Sequence, residues 1–101
     1  MQRAQLERDL TAVSAHLARA RDELALVTDQ LTALSDEADT ARLRALAAET
    51  PQSHAPFERA QQHLTTLSKA QSTVQSTIDE LELVHHDLLA QLLALDERSR
   101  S

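Results

Sequence analysis

Residues 6–34 read LERDLTAVSAHLARARDELALVTDQLTAL. Taken in steps of four and three, this stretch places Leu10, Leu17, Leu24 and Leu31 at one heptad position. Leu6, Val13, Ala20, Val27 and Leu34 fall at the other. The spacing is that of an α-helix with one narrow apolar seam, the pattern of a coiled coil. Ala38, Ala41, Ala45 and Ala48 continue the seam without a break. One helix is therefore expected over about 2–49.

Downstream, residues 49–56 read ETPQSHAP and hold both prolines of the chain. Pro51 disfavours helical geometry at the residue before it, so helix 1 is expected to end near Glu49. The turn is expected over about 50–55. Ser53 is a candidate N-cap, with Pro56 in the first turn of the next helix or at its first position. From there Phe57, Ala60, Leu64, Leu67, Gln71, Val74, Ile78, Leu81, His85, Leu88, Leu92 and Leu95 form a second seam. Only Gln71 and His85 interrupt it with polar atoms. This predicts helix 2 over about 56–97, and a single helical hairpin over 1–101.

Folding the chain at the expected turn matches the heptad classes of the two seams. Leu10 then opposes Leu95, Leu17 opposes Leu88, Ala20 opposes His85, and Leu34 opposes Gln71. Nearer the turn, Ala38 opposes Leu67, Ala41 opposes Leu64 and Ala48 opposes Phe57, large against small as close packing requires. Arg21 is expected near Glu82, and Asp9 near Arg98. The fold class is all-α, an antiparallel two-helix coiled-coil hairpin.

Composition agrees. The chain has 101 residues, no glycine and no cysteine, and Phe57 is its only aromatic. Tight β-turns draw on glycine, so sheet folds are disfavoured. The formal net charge is -6, and both halves are acidic. Six arginines stand against nine Asp/Glu in 1–50, and four Lys/Arg against seven in 51–101. A duplex nucleic acid or an anionic membrane is repelled on average by such a chain. No apolar run approaches membrane-spanning length, and the polar N-terminus shows no signal peptide. Absence of cysteine excludes disulfides and thiolate metal sites, and fits a cytoplasmic protein.

Two helices alone bury little. Small single domains come out near zero when burial is set against an ordering cost of roughly 1.5 kcal/mol per residue. Surplus apolar residues show where further burial is expected. Leu83, Ala90 and Leu93 lie away from the seam of helix 2, with His86 between them, and Val84 and Leu89 flank it on either side. A helix apolar around most of its circumference is usually covered on more than one side. Leu83, Val84, Leu89 and Leu93 are therefore the candidate protein interface; a homodimer forming a four-helix bundle is the expected assembly, with a docking site for a different, heterologous protein partner as the alternative. Leu26, Leu43 and Leu46 are less organised outliers on helix 1.

No chemistry-bearing motif emerges. His85 and His16 lie near one another in the expected register, but zinc takes three or four ligands in good geometry. Ser14 and His16 are two apart on a helix and do not face each other. A continuous helix offers no unused N–H groups for an oxyanion. Neither a catalytic site nor a metal or cofactor is expected.

Ser68, Gln75 and Asp79 stand at spacings similar to the motif Glu-x3-Ser-x2-Arg-x3-Gln-x3-Asp of antiparallel coiled-coil anti-sigma factors that bind cyclic di-GMP. That resemblance implies a nucleotide-sensing regulator with Ser68, Gln75 and Asp79 at the ligand. Leu64 and Gln71 occupy the acidic and arginine positions, and helix 1 carries no second copy. In size and shape the hairpin also resembles the small helical substrates of type VII secretion, although it has no Trp, Gly or Tyr. The residues themselves point to a non-enzymatic coiled-coil module for protein–protein interaction, self-associating, as adaptor, scaffold or regulatory partner.

Overall fold

A computed structural model describes residues 2–48 and 51–100, with side chains over 2–48 and 54–100. It is an all-α helical hairpin of α1 (Gln2–Ala48) and α2 (Pro51–Arg100) packed against each other. Ala, Leu, Gln, Glu and Arg, all good helix formers, carry both helices. Threonine, a weaker one, is accommodated by back-bonding: Thr11, Thr32, Thr40, Thr65 and Thr66 each donate to the carbonyl four residues earlier.

The second helix starts earlier than its sequence pattern predicts, at Pro51 rather than near 56, and it runs on to Arg100. Proline suits a first helical position, because its φ is preset and its missing N–H has no partner to lose there. Ser53, the candidate cap, falls inside α2, and so does Pro56. The ring of Pro56 removes one backbone hydrogen bond and crowds the carbonyl four residues before it. Glu49 and Thr50, where the end of helix 1 was expected, lie outside the described residues.

Contacts fall into two compact units, one of residues 1–23 with 74–101 and one of residues 24–73. In the first, Leu17, Ala20, Val74 and Ile78 are buried. Arg3 pairs with Asp96, and Arg21 Nη2 donates to Glu82 Oε1 at 3.4 Å. Both pairs are exposed, worth about 0–1 kcal/mol each. A surface groove brings Gln2, Leu6 and Asp9 together with Leu88, Leu95 and Arg98. In the second unit Val27, Ala38 and Ala45 are buried. There Gln71 Nε2 donates to Thr28 Oγ1 at 3.1 Å, and Leu34 shares a groove with His63 and Leu67.

These contacts correct the register read from the seams. With Leu34 opposite Gln71, Thr28 would lie six residues further along α1, about 9 Å at ~1.5 Å per residue. The hydrogen bond between Gln71 and Thr28 cannot span that offset in addition to the interhelix gap. Each unit instead packs one heptad away from the expected pairing. That register sets Leu10 level with Leu88, Leu17 with Leu81, and Ala20 with Ile78, and Leu17, Ala20 and Ile78 are buried. In the other unit it sets Val27 level with Gln71, whose amide reaches the adjacent Thr28, Leu31 level with Leu67, and Ala41, which shares a groove with Pro56 and Ala60, level with Phe57. His85 stands level with Val13 rather than Ala20.

The cause is the length of the connection. Only Glu49 and Thr50 separate α1 from α2, a short connection of the kind that joins antiparallel helices. A shift of seven residues leaves every heptad class matched, so the seams alone do not distinguish the two registers. Charge adds to the choice. The expected register set Asp96 level with Asp9, whereas the observed one sets it beside Arg3.

The register is open to direct test, because the chain has no native cysteine. Leu31→Cys with Leu67→Cys should oxidise readily to an intramolecular disulfide, and Ala38→Cys with Leu67→Cys should not, since Cα atoms beyond about 7 Å cannot be bridged. Non-reducing electrophoresis of monomeric fractions reads the outcome. Separately, Pro56→Ala restores a backbone hydrogen bond inside α2. It should raise stability by about 1–2 kcal/mol after the loss of proline's effect on the unfolded chain is subtracted. A lower thermal midpoint in that variant would contradict an uninterrupted α2 through residue 56.

Candidate protein-interaction surface

The residues singled out as an interface all reach solvent. Leu83 is 72% exposed, Leu93 62%, Val84 46% and Leu89 39%. Spacings of three and four place Leu83, His86, Ala90 and Leu93 in one stripe along α2. Leu89 adjoins it through Leu93, four residues on. Val84 does not join the stripe: it lies on the opposite flank of the seam, as the helical repeat requires.

The surroundings of this stripe are acidic. Between Lys69 and Arg98 the sequence has no Lys or Arg, but it holds Asp79, Glu80, Glu82, Asp87, Asp96 and Glu97. Leu83 has Asp79, Glu80 and Asp87 as its neighbours at four before, three before and four after, which ring it on the helix surface. Glu82 and Asp96 are drawn towards α1 by Arg21 and Arg3.

A second exposed apolar group lies on α1, in the unit of residues 24–73. Leu43 and Leu46 are about as exposed as Leu93 and share a face by their spacing of three. Their charged neighbours at helical spacing are mixed: Asp39 stands four residues before Leu43 and Arg42 four before Leu46. Leu26 is exposed as well but stands far from both along the helix.

The residues of the nucleotide-binding resemblance are occupied differently. Gln75 Nε2 donates to Asp79 Oδ1 at 3.1 Å, so the two are joined to each other. Ser68 belongs to the other compact unit and lines an open surface groove with Gln61, Lys69 and Ser72. Gln71, at the arginine position, is engaged with Thr28 across the hairpin. Reading the seam identified Gln71 as polar but not its partner. Thr28 follows Val27, and only the observed register brings it level with Gln71.

Among the described residues, no three His, Cys, Asp or Glu side chains are grouped to hold a metal ion. Nor is any described helix long and apolar enough to cross a membrane. Comparison with protein-family models, with curated proteins and with solved structures finds no match.

The Gln71–Thr28 bond sits at a seam position, where a polar residue sets alignment at a cost in stability. Gln71→Leu should raise the thermal midpoint by a few degrees, corresponding to about 0.5–1 kcal/mol. It should also weaken register choice, so that the Ala38→Cys and Leu67→Cys pair begins to crosslink. A fall in the midpoint would show the bond to be net stabilising.

Proposed function

We propose that this protein is a non-enzymatic interaction module: a coiled-coil hairpin that self-associates and serves as an adaptor, scaffold or regulatory partner. The exposed leucine stripe on α2 carries this reading. Fully burying a leucine contributes about 1.5–3 kcal/mol, and a contiguous apolar surface of this kind marks an interface. A two-helix core is thin, so covering the stripe supplies burial that the hairpin alone lacks. Dimerisation into a four-helix bundle is the simplest assembly that achieves this. The continuous helices argue against catalysis, since their backbone N–H groups are consumed internally. The cysteine-free composition suits the cytoplasm.

Light scattering on the purified chain tests the reading. At micromolar concentration the mass should exceed that of one chain. Leu89→Asp with Leu93→Asp should return it to the monomer while far-ultraviolet circular dichroism keeps its helical signal. A wild-type chain that stays monomeric throughout the micromolar range would sink the proposal.

A further inference from the structure

The leucine stripe of α2 is apolar along its centre and acidic at its edge, and α2 has no Lys or Arg between Lys69 and Arg98. We infer that its preferred occupant is a cationic amphipathic helix of a partner protein, which displaces the second copy. That helix carries large apolar side chains on one face and Lys or Arg beside them. The inference rests on the interaction-module reading and names the chemistry of the partner.

Charge selects this occupant over a second copy. Asp79, Glu80 and Asp87 stand around Leu83 at helical spacing. Asp79 is joined to the neutral amide of Gln75, which leaves its charge uncompensated. Among the described residues no ion pair holds Glu80 or Asp87, whereas Glu82 and Asp96 are already met by Arg21 and Arg3. A second α2 brings the same three carboxylates with its leucines, and no Lys or Arg between residues 70 and 97 to meet them. Like charges facing across an interface oppose association. A helix with cations at the rim of its apolar face covers the same leucines and meets the carboxylates with opposite charge.

The surface itself calls for a helix. Residues 83–93 lie inside α2, so their backbone N–H and C=O groups are consumed within it. An extended segment laid on the stripe would bury backbone groups that find no partner there. A helix satisfies its own, and its side-chain rows pack between those of α2. The distance from Leu83 to Leu93 is about 15 Å at ~1.5 Å per residue, so about three turns of partner helix cover it. Ala90, in the middle of the row, leaves space for a large apolar side chain.

Two synthetic peptides of about 14 residues, long enough to cover the stripe, test this. Both carry leucines at spacings of three and four; one has lysine at the remaining positions, the other glutamate. Calorimetry at neutral pH and low salt should give one lysine peptide per chain, with the glutamate peptide at least about tenfold weaker. Light scattering should show the lysine peptide converting self-associated wild type into a complex of one chain and one peptide. Leu83→Asp with Leu93→Asp should abolish the binding. Asp79→Asn, Glu80→Gln and Asp87→Asn together should weaken the lysine peptide by about tenfold and strengthen self-association. Asp36→Asn with Glu37→Gln, in the other compact unit, should do neither. Circular dichroism establishes that each variant stays helical. If the two peptides bind alike, if neither binds, or if the Asp36 and Glu37 variant loses as much, charge at the stripe does not choose the occupant. The cationic helix is then wrong, and a wild type that still self-associates leaves the interaction module standing. A monomeric wild type that binds the lysine peptide at the stripe keeps the partner helix and removes self-association.

Discussion

The packing of this hairpin depends on how soon the chain reverses after Ala48. Only Glu49 and Thr50 separate the helices. Two helices leaving such a short connection must place residues equidistant from it level with each other. The layers of the unit of residues 24–73, which holds the connection, follow from this constraint. It sets Val27 level with Gln71. It also sets Thr28 within reach of Gln71. The prolines are central to the same event. Pro51 opens α2 at a position where its missing N–H has no intrahelical partner to lose, and α2 tolerates Pro56 close to its start.

Alanine does the complementary work near the turn. Ala38 and Ala45 are the most deeply buried side chains described, at 2% and 3% exposure. Their size lets the helices approach closely, and the register sets the larger Phe57 level with Ala41 between them. Large faces small here as in the expected register, but with different partners. Close packing is thus satisfied twice by one sequence, because the alanines themselves recur at heptad spacing.

Charge is unevenly spread over the exposed faces. Arginines of α1 hold Glu82 and Asp96 near the seam, while Asp79, Glu80 and Asp87 ring an exposed leucine. Asp39 and Arg42 border another leucine pair on α1, where the charges are mixed.

By itself the sequence determined the helices, their seams, the antiparallel hairpin and the leucines that reach solvent. All of these follow from a local period: Leu10 to Leu17 to Leu24 is readable because helical geometry repeats within a few residues. Arg21 was correctly placed near Glu82 as well, since long side chains bridge an offset of several residues. Tertiary structure alone decided the register. Heptad matching is indifferent to a shift of seven residues, so the partner of Gln71, the neighbour of Asp96 and the residue opposite Phe57 were left open by pattern. The start of α2 at Pro51 resolved them, because a connection's length acts on the relative position of two whole helices and leaves no periodic mark in either.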